Sequence, residues 1–144
     1  MAQGTRFAGW VLHVHRGRLA YTHNWFAMQH YRIEAGTAIP PGEHEIAMTF
    51  DVDAVPGFGR GGDVNLFLDG QVIGSGRVER TVPFLYSGSA NVGVDRGSGV
   101  VRDYETPSGT FSGTIRWVDI SIDPTTAGAP TPSDVIEHIE VSTQ

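Results

Sequence analysis

Two histidines one residue apart, His13 and His15, are the first side chains in the chain whose type and spacing suit chemistry. On an extended strand, positions i and i+2 share a face, so both imidazoles point the same way. Metal sites use that spacing. A third donor would have to come from a neighbouring strand. The Arg16-Gly17 step predicts a two-residue hairpin turn, and its register sets Arg18, Ala20 and Thr22 beside the pair, none of them a helpful ligand. The spacing therefore favours an outward polar face over a metal centre.

Carboxylates form a second set. Asp51, Asp53 and Asp63 flank a glycine-rich loop over residues 56–62 and are candidate hard oxygen ligands for calcium, although Asp and Gly are also ordinary loop residues. Glu43 and Glu45 alternate onto one strand face, about 7 Å apart at the rise of an extended chain. That separation suits a glycosidase pair. The flanking residues do not make the E-x-D-x-x-E pattern of sandwich-fold glucanases, so solvated charges on an outer face are the better reading. The loop Gly57-Phe58-Gly59-Arg60-Gly61-Gly62 is followed by a strand and carries no Lys, whereas a phosphate cradle needs a helix and usually a Lys. What survives there is Arg60, at a loop tip from which it can reach an anionic substrate in a neighbouring domain. Among the aromatics, Trp10, Tyr21, Phe50 and Trp117 fall on inward positions and are assigned to the core. Trp25, Tyr31 and Phe58 stay open as interface or glycan candidates, since aromatics gathered on a sheet face make either a sugar platform or a seam.

The elements that must position these residues read as strands. Period-2 alternation broken by Gly and Pro dominates the chain. Runs are expected at 7–15, 18–26, 28–33, 43–53, 64–68, 71–82 and 111–122, with short segments near 84–86 and 90–94. Asp69-Gly70 is a favoured hairpin pair, and Pro40-Pro41-Gly42 a strong turn. Gly74 and Gly76 inside a strand run predict a bulge or a close backbone approach. The run 111–122 switches its apolar face between Trp117 and Val118, which also suggests a bulge. Residues 123–132 read as a linker. Thr131-Pro132-Ser133-Asp134 then caps a short helix with Val135, Ile136 and Ile139 as its apolar stripe. The expected fold is all-β, a two-layer antiparallel sandwich of jelly-roll or concanavalin A-like type over residues 1–122, with a linker and short C-terminal helix over 123–144.

Composition narrows the classes. The chain has 144 residues, a net charge of −6 and no cysteine, and all ten of its Lys/Arg positions are Arg. The length suits one domain. Without cysteine there are no disulfides, thiolate metal sites or cysteine nucleophiles in this chain. The arginines are scattered, so no nucleic-acid stripe is expected. No apolar run approaches the ~18 residues of a membrane span and no signal-peptide core is seen, which predicts a soluble domain. The compartment is left open.

In order along the chain stand Gly9-Trp10 with Leu12, Tyr21 with Asn24, Pro40–His44, Phe50-Asp51, Gly61–Gly70 and Glu79–Phe84. The step Asp95–Gly97 and the Tyr104–Pro107 stretch follow, before the run 111–118. This series, over roughly residues 4–122, resembles the C-terminal region of large bacterial arylsulfatases of actinobacterial type. The resemblance implies a non-catalytic accessory domain of a sulfuric ester hydrolase, packed on its catalytic domain in the same polypeptide. It places formylglycine and a divalent cation such as calcium in that partner. It implies no cofactor and no catalytic residue here, because no Cys or Ser in this chain stands in a C/S-x-P-x-R sequence. A free-standing lectin-like module that binds carbohydrate is the alternative.

Overall fold

A computed structural model describes residues 1–55, 57, 59–82, 89–104 and 109–122 of the chain. The linker and capped helix expected over 123–144, the short segment near 84–86 and Phe58 lie outside the described residues. Among the described residues, eight strands form two antiparallel sheets: β1 (Ala2–Gly4), β2 (Gly9–His15), β3 (Arg18–Trp25), β4 (Gln29–Ala38), β5 (Ile46–Val52), β6 (Gly62–Leu68), β7 (Gln71–Val78) and β8 (Ala90–Asn91). One sheet has the order β4-β3-β2-β1-β8 and the other β5-β6-β7. The chain is all-β, with no helix among the described residues.

Turn chemistry sets the registers. Arg16 (φ 50°) and Gly17 (φ 78°) both take the left-handed conformation, as do Asp69 (φ 50°) and Gly70 (φ 76°). Two consecutive positive φ values twist a two-residue loop in the sense that antiparallel strands need. The first turn pairs Val14 with Leu19, Leu12 with Tyr21 and Trp10 with His23, so the predicted inward faces coincide. A further turn joins β3 to β4, and there Phe26 (φ 52°) and Ala27 (φ 56°) are left-handed without being glycine. Asn24 Oδ1 accepts the Ala27 N–H at 2.9 Å and holds that conformation.

The core lies between the sheets. Leu19, Tyr21, Ile33 and Ala35 of the first sheet meet Val64, Leu66 and Val78 of the second, with Trp10, Leu12, Met48, Phe50 and Ile73 packed around them. Each fully buried Leu or Val contributes about 1.5–3 kcal/mol relative to exposure. Gly74 and Gly76 mark a close approach of the two sheets. A Cβ on Gly76 would stand 2.6 Å from Ile33 Cγ1, and one on Gly74 would stand 3.1 Å from the Ala35 Cα. The register of β6 on β7 also slips between Leu66 and Phe67, so both predicted features, bulge and close approach, occur together.

Three expectations are corrected. The outer face of β2 and β3 is not a solvated polar face, because the loop over 95–104 folds across it. Ala2, Val11, Val100 and Val101 form a second buried cluster there, with Tyr104 against it. Thr22 and Asn24, on the far side of β3 from the main core, are buried as a result. The run 43–53 yields a ladder only from Ile46, since residues before it are held by the turn: Asp69 Oδ1 accepts the Glu45 N–H at 2.9 Å. The run 111–122 joins no strand ladder among the described residues; the nearest pairing is an isolated bridge between Val94 and Thr110, just before it. Trp117, assigned to the core by its alternation, is 64% exposed.

Candidate functional site

Two places gather polar side chains, and the first lies under the loop that crosses the outer sheet face. His13 and His15 project side by side from β2, with ring centroids 6.3 Å apart. Asp103 reaches them from the loop: its Oδ2 lies 3.2 Å from His13 Nε2 and 3.7 Å from His15 Nδ1. Arg32 of β4 donates from Nη1 to the same oxygen, and its Nη2 and Nε donate to Glu34 Oε2 at 2.7 and 3.1 Å. Burial pushes the His13 imidazole below its ordinary pKa, against the opposing pull of Asp103. Partial burial pushes the Asp103 carboxyl upward, but Arg32 and then His13 outweigh it and hold the group below its usual range.

The loop that carries Asp103 is anchored on both sides of it. Asp95 Oδ2 accepts the Val100 N–H at 2.9 Å and the Tyr104 hydroxyl. The Tyr104 ring stands edge-on to His13, with centroids 5.7 Å apart. Asn24, buried beneath, donates from Nδ2 to the Val100 carbonyl at 3.0 Å and to the Arg6 carbonyl at 2.8 Å.

The second place is an open cleft of about 620 Å³ at the end of the second sheet, where the glycine-rich loop meets the β3–β4 turn. Trp25, Phe26, Asp53, Arg60, Glu79 and Arg80 are among its lining residues. The Arg80 guanidinium lies over the Trp25 ring, 5.5 Å from the centroid, and the Phe26 ring meets Trp25 edge-on at 5.6 Å. Arg60 is stitched in place: its Nη1 donates to the Asp53 carbonyl at 3.1 Å, and its own carbonyl accepts the Thr81 hydroxyl at 2.7 Å.

Three of the sequence candidates, Trp25, Asp53 and Arg60, therefore converge on one cleft. Comparison of the chain with protein-family models, with curated proteins and with solved structures finds no match. The aspartates considered for calcium meet a cation of the chain itself. Arg77 donates to Asp53 Oδ2 at 2.6 Å and lies 3.3 Å from Asp63 Oδ1, while Asp51 pairs across the ladder with Asp63. The hydrogen bond from Arg77 holds the Asp53 carboxyl below its ordinary range. Tyr31 packs against the main core, away from the cleft, and Glu43 is bridged to Arg116 at 2.9 Å.

Sequence reasoning found the histidine pair but missed its third member. The hairpin register is as expected, with His13 opposite Ala20 and His15 opposite Arg18. Asp103 comes instead from a loop ninety positions away. The Asp95–Gly97 and Tyr104 steps were visible landmarks of that loop, yet nothing local to them says which strand they cover.

Proposed function

We propose that this chain is a non-catalytic β-sandwich accessory domain that packs on and stabilises the catalytic domain of an arylsulfatase, a sulfuric ester hydrolase, in the same polypeptide. The observation that carries the docking is the stretch 111–122, which joins no ladder among the described residues and presents Phe111, Ile115, Trp117, Ile120 and Ile122 to solvent. A run of large apolar side chains exposed on a folded surface marks an interaction site. The partner is named by the ordered motif series over residues 4–122, and the formylglycine and divalent cation belong to that partner. The finer reading of the two sheets as a jelly-roll or concanavalin A-like sandwich is supported by the return of the chain from the second sheet to the first at β8. An immunoblot of the source organism with an antibody against this chain tests the fusion. A band several times heavier than 15.5 kDa is expected. A free species of that mass, or turnover of an aryl sulfate by the purified chain alone, sinks the proposal.

A second reading, a lectin-like carbohydrate-binding module, is favoured by the cleft. An indole and a phenyl ring beside two arginines and two carboxylates combine apolar stacking surface with hydrogen-bonding groups, as small-molecule sites do. A screen of neutral and sulfated glycans tests it, with Trp25→Ala and Arg60→Ala as controls. Absence of any hit at millimolar concentration disposes of this reading.

A further inference from the structure

We infer that His13, His15 and Asp103 form a binding site for one transition-metal dication, of which zinc is the best match. The three side chains offer two imidazole nitrogens and one carboxylate oxygen, all within 4.8 Å of one another. Zinc takes such ligands in a tetrahedron at about 2.0–2.2 Å, so neighbouring ligand atoms stand roughly 3.3 Å apart. The gaps from Asp103 Oδ2, 3.2 Å to His13 Nε2 and 3.7 Å to His15 Nδ1, match that edge to within a few tenths of an ångström. Donor chemistry selects the ion. Two imidazoles suit zinc and its first-row neighbours, whereas calcium and magnesium require shells of oxygen.

Rigidity on both sides favours the site over a chance meeting of polar groups. The histidines sit on a strand paired along its whole length. Asp103 is fixed between Val100 and Val101, both in the second buried cluster, and Tyr104, which is bonded to Asp95. The carboxylate is a quarter exposed, leaving a solvent-facing approach for an ion and for a water as fourth ligand. Arg32 is the competitor. It shares Asp103 Oδ2 with the histidines and already has Glu34 as a second partner, so an arriving ion exchanges one cation for another at that oxygen.

The test is titration of the full chain with zinc at pH 7.5 by calorimetry, repeated with cobalt(II), whose visible absorption reports tetrahedral nitrogen and oxygen ligation. One ion per chain is expected. His15→Ala and Asp103→Asn, both at side chains a quarter exposed and outside the buried clusters, should each weaken zinc binding at least tenfold and remove the cobalt bands. Arg32→Gln should tighten binding severalfold by removing the competing cation, and His30→Ala on the neighbouring strand should leave it unchanged. Absence of saturable binding overturns the inference, as does binding undiminished in both His15→Ala and Asp103→Asn with circular dichroism unaltered.

Discussion

The side-chain amide of Asn24 donates to the Val100 carbonyl at 3.0 Å, tying the centre of the first sheet to the loop that covers it. The same nitrogen donates to the Arg6 carbonyl, and Oδ1 accepts from Ala27 in a turn with two left-handed non-glycine residues. Three backbone segments therefore depend on one fully buried side chain. Asn24→Ala leaves two carbonyls and one N–H without partners, at about 1–3 kcal/mol for each group left buried. The expected loss in urea unfolding exceeds about 2 kcal/mol. Asn24→Asp keeps the acceptor for Ala27 but loses both donors, so it should be no less damaging. A loss under 0.5 kcal/mol for either, on the order of an ordinary surface change, would show that the loop holds without this link.

His23 makes stability depend on pH. Burial lowers its pKa to about 4, and its Nε2 accepts the Val82 N–H at 3.0 Å, a bond only the neutral ring can make. The unfolded ring titrates near 6.5. The folded state therefore binds fewer protons between those values, and stability rises with pH across that window. It is fully present above about 6.5 and falls as pH drops toward 4, by about 3 kcal/mol at most at 1.36 kcal/mol per pKa unit. Unfolding free energies from pH 7 to pH 4, with the His23 ring followed by NMR, check this. Titration of the folded ring near 6.5 would contradict it. His44 has the opposite sign: its bond to Asp69 raises its pKa, so its small contribution fades as pH climbs past the ordinary histidine value.

Gly76→Ala places a methyl group 2.6 Å from Ile33 Cγ1, inside the core. Overpacking of this kind costs about 1–3 kcal/mol. Relief by the second-site change Ile33→Val, with partial recovery of Tm in the double variant, identifies steric conflict as the cause. Equal Tm for Gly76→Ala and the parent would mean that the sheets can separate at no cost.

Trp117 separates the periodicity reading from the observed structure. At 64% exposure its replacement by Ala should change the unfolding free energy of the isolated chain by less than about 0.5 kcal/mol. Trp10→Ala, which opens a gap beside the main core, should cost about 3 kcal/mol. A comparable loss for Trp117→Ala would place its segment in the core and remove the docking argument.

The hairpins were legible because their instructions are local. Arg16-Gly17 and Asp69-Gly70 carry the turn chemistry in adjacent residues, and alternation then assigns Leu12, Leu19, Val64 and Leu66 to the interior without knowledge of the partner sheet. Phe111 to Ile122 alternates on either side of its switch at Trp117 and Val118, but alternation records a habit of the backbone and not the presence of a neighbour to bond. Asp103 was illegible for the same reason from the other side. A lone aspartate in a loop carries no mark of which face it will cover, and the valines that pull it there, Val100 and Val101, look like any short apolar pair. Trp25, Asp53 and Arg60 were each singled out for separate reasons, and only the meeting of the β3–β4 turn with the glycine-rich loop shows that they share one cleft.

The late return of the chain to β1 sets an order of assembly. β2-β3-β4 and β5-β6-β7 each pair strands that are consecutive in sequence, so their contacts close small loops and form quickly. The pairing of Gln3 with Ala90 must wait until both meanders exist, because it spans both of them and carries the largest closure entropy of the strand pairings. With only two residues of ladder to hold it, this seam is the last to zip and the first to open. Among the strands, hydrogen exchange should be fastest there and slowest at Tyr21 and Leu66, giving the sheets a soft edge on a rigid centre.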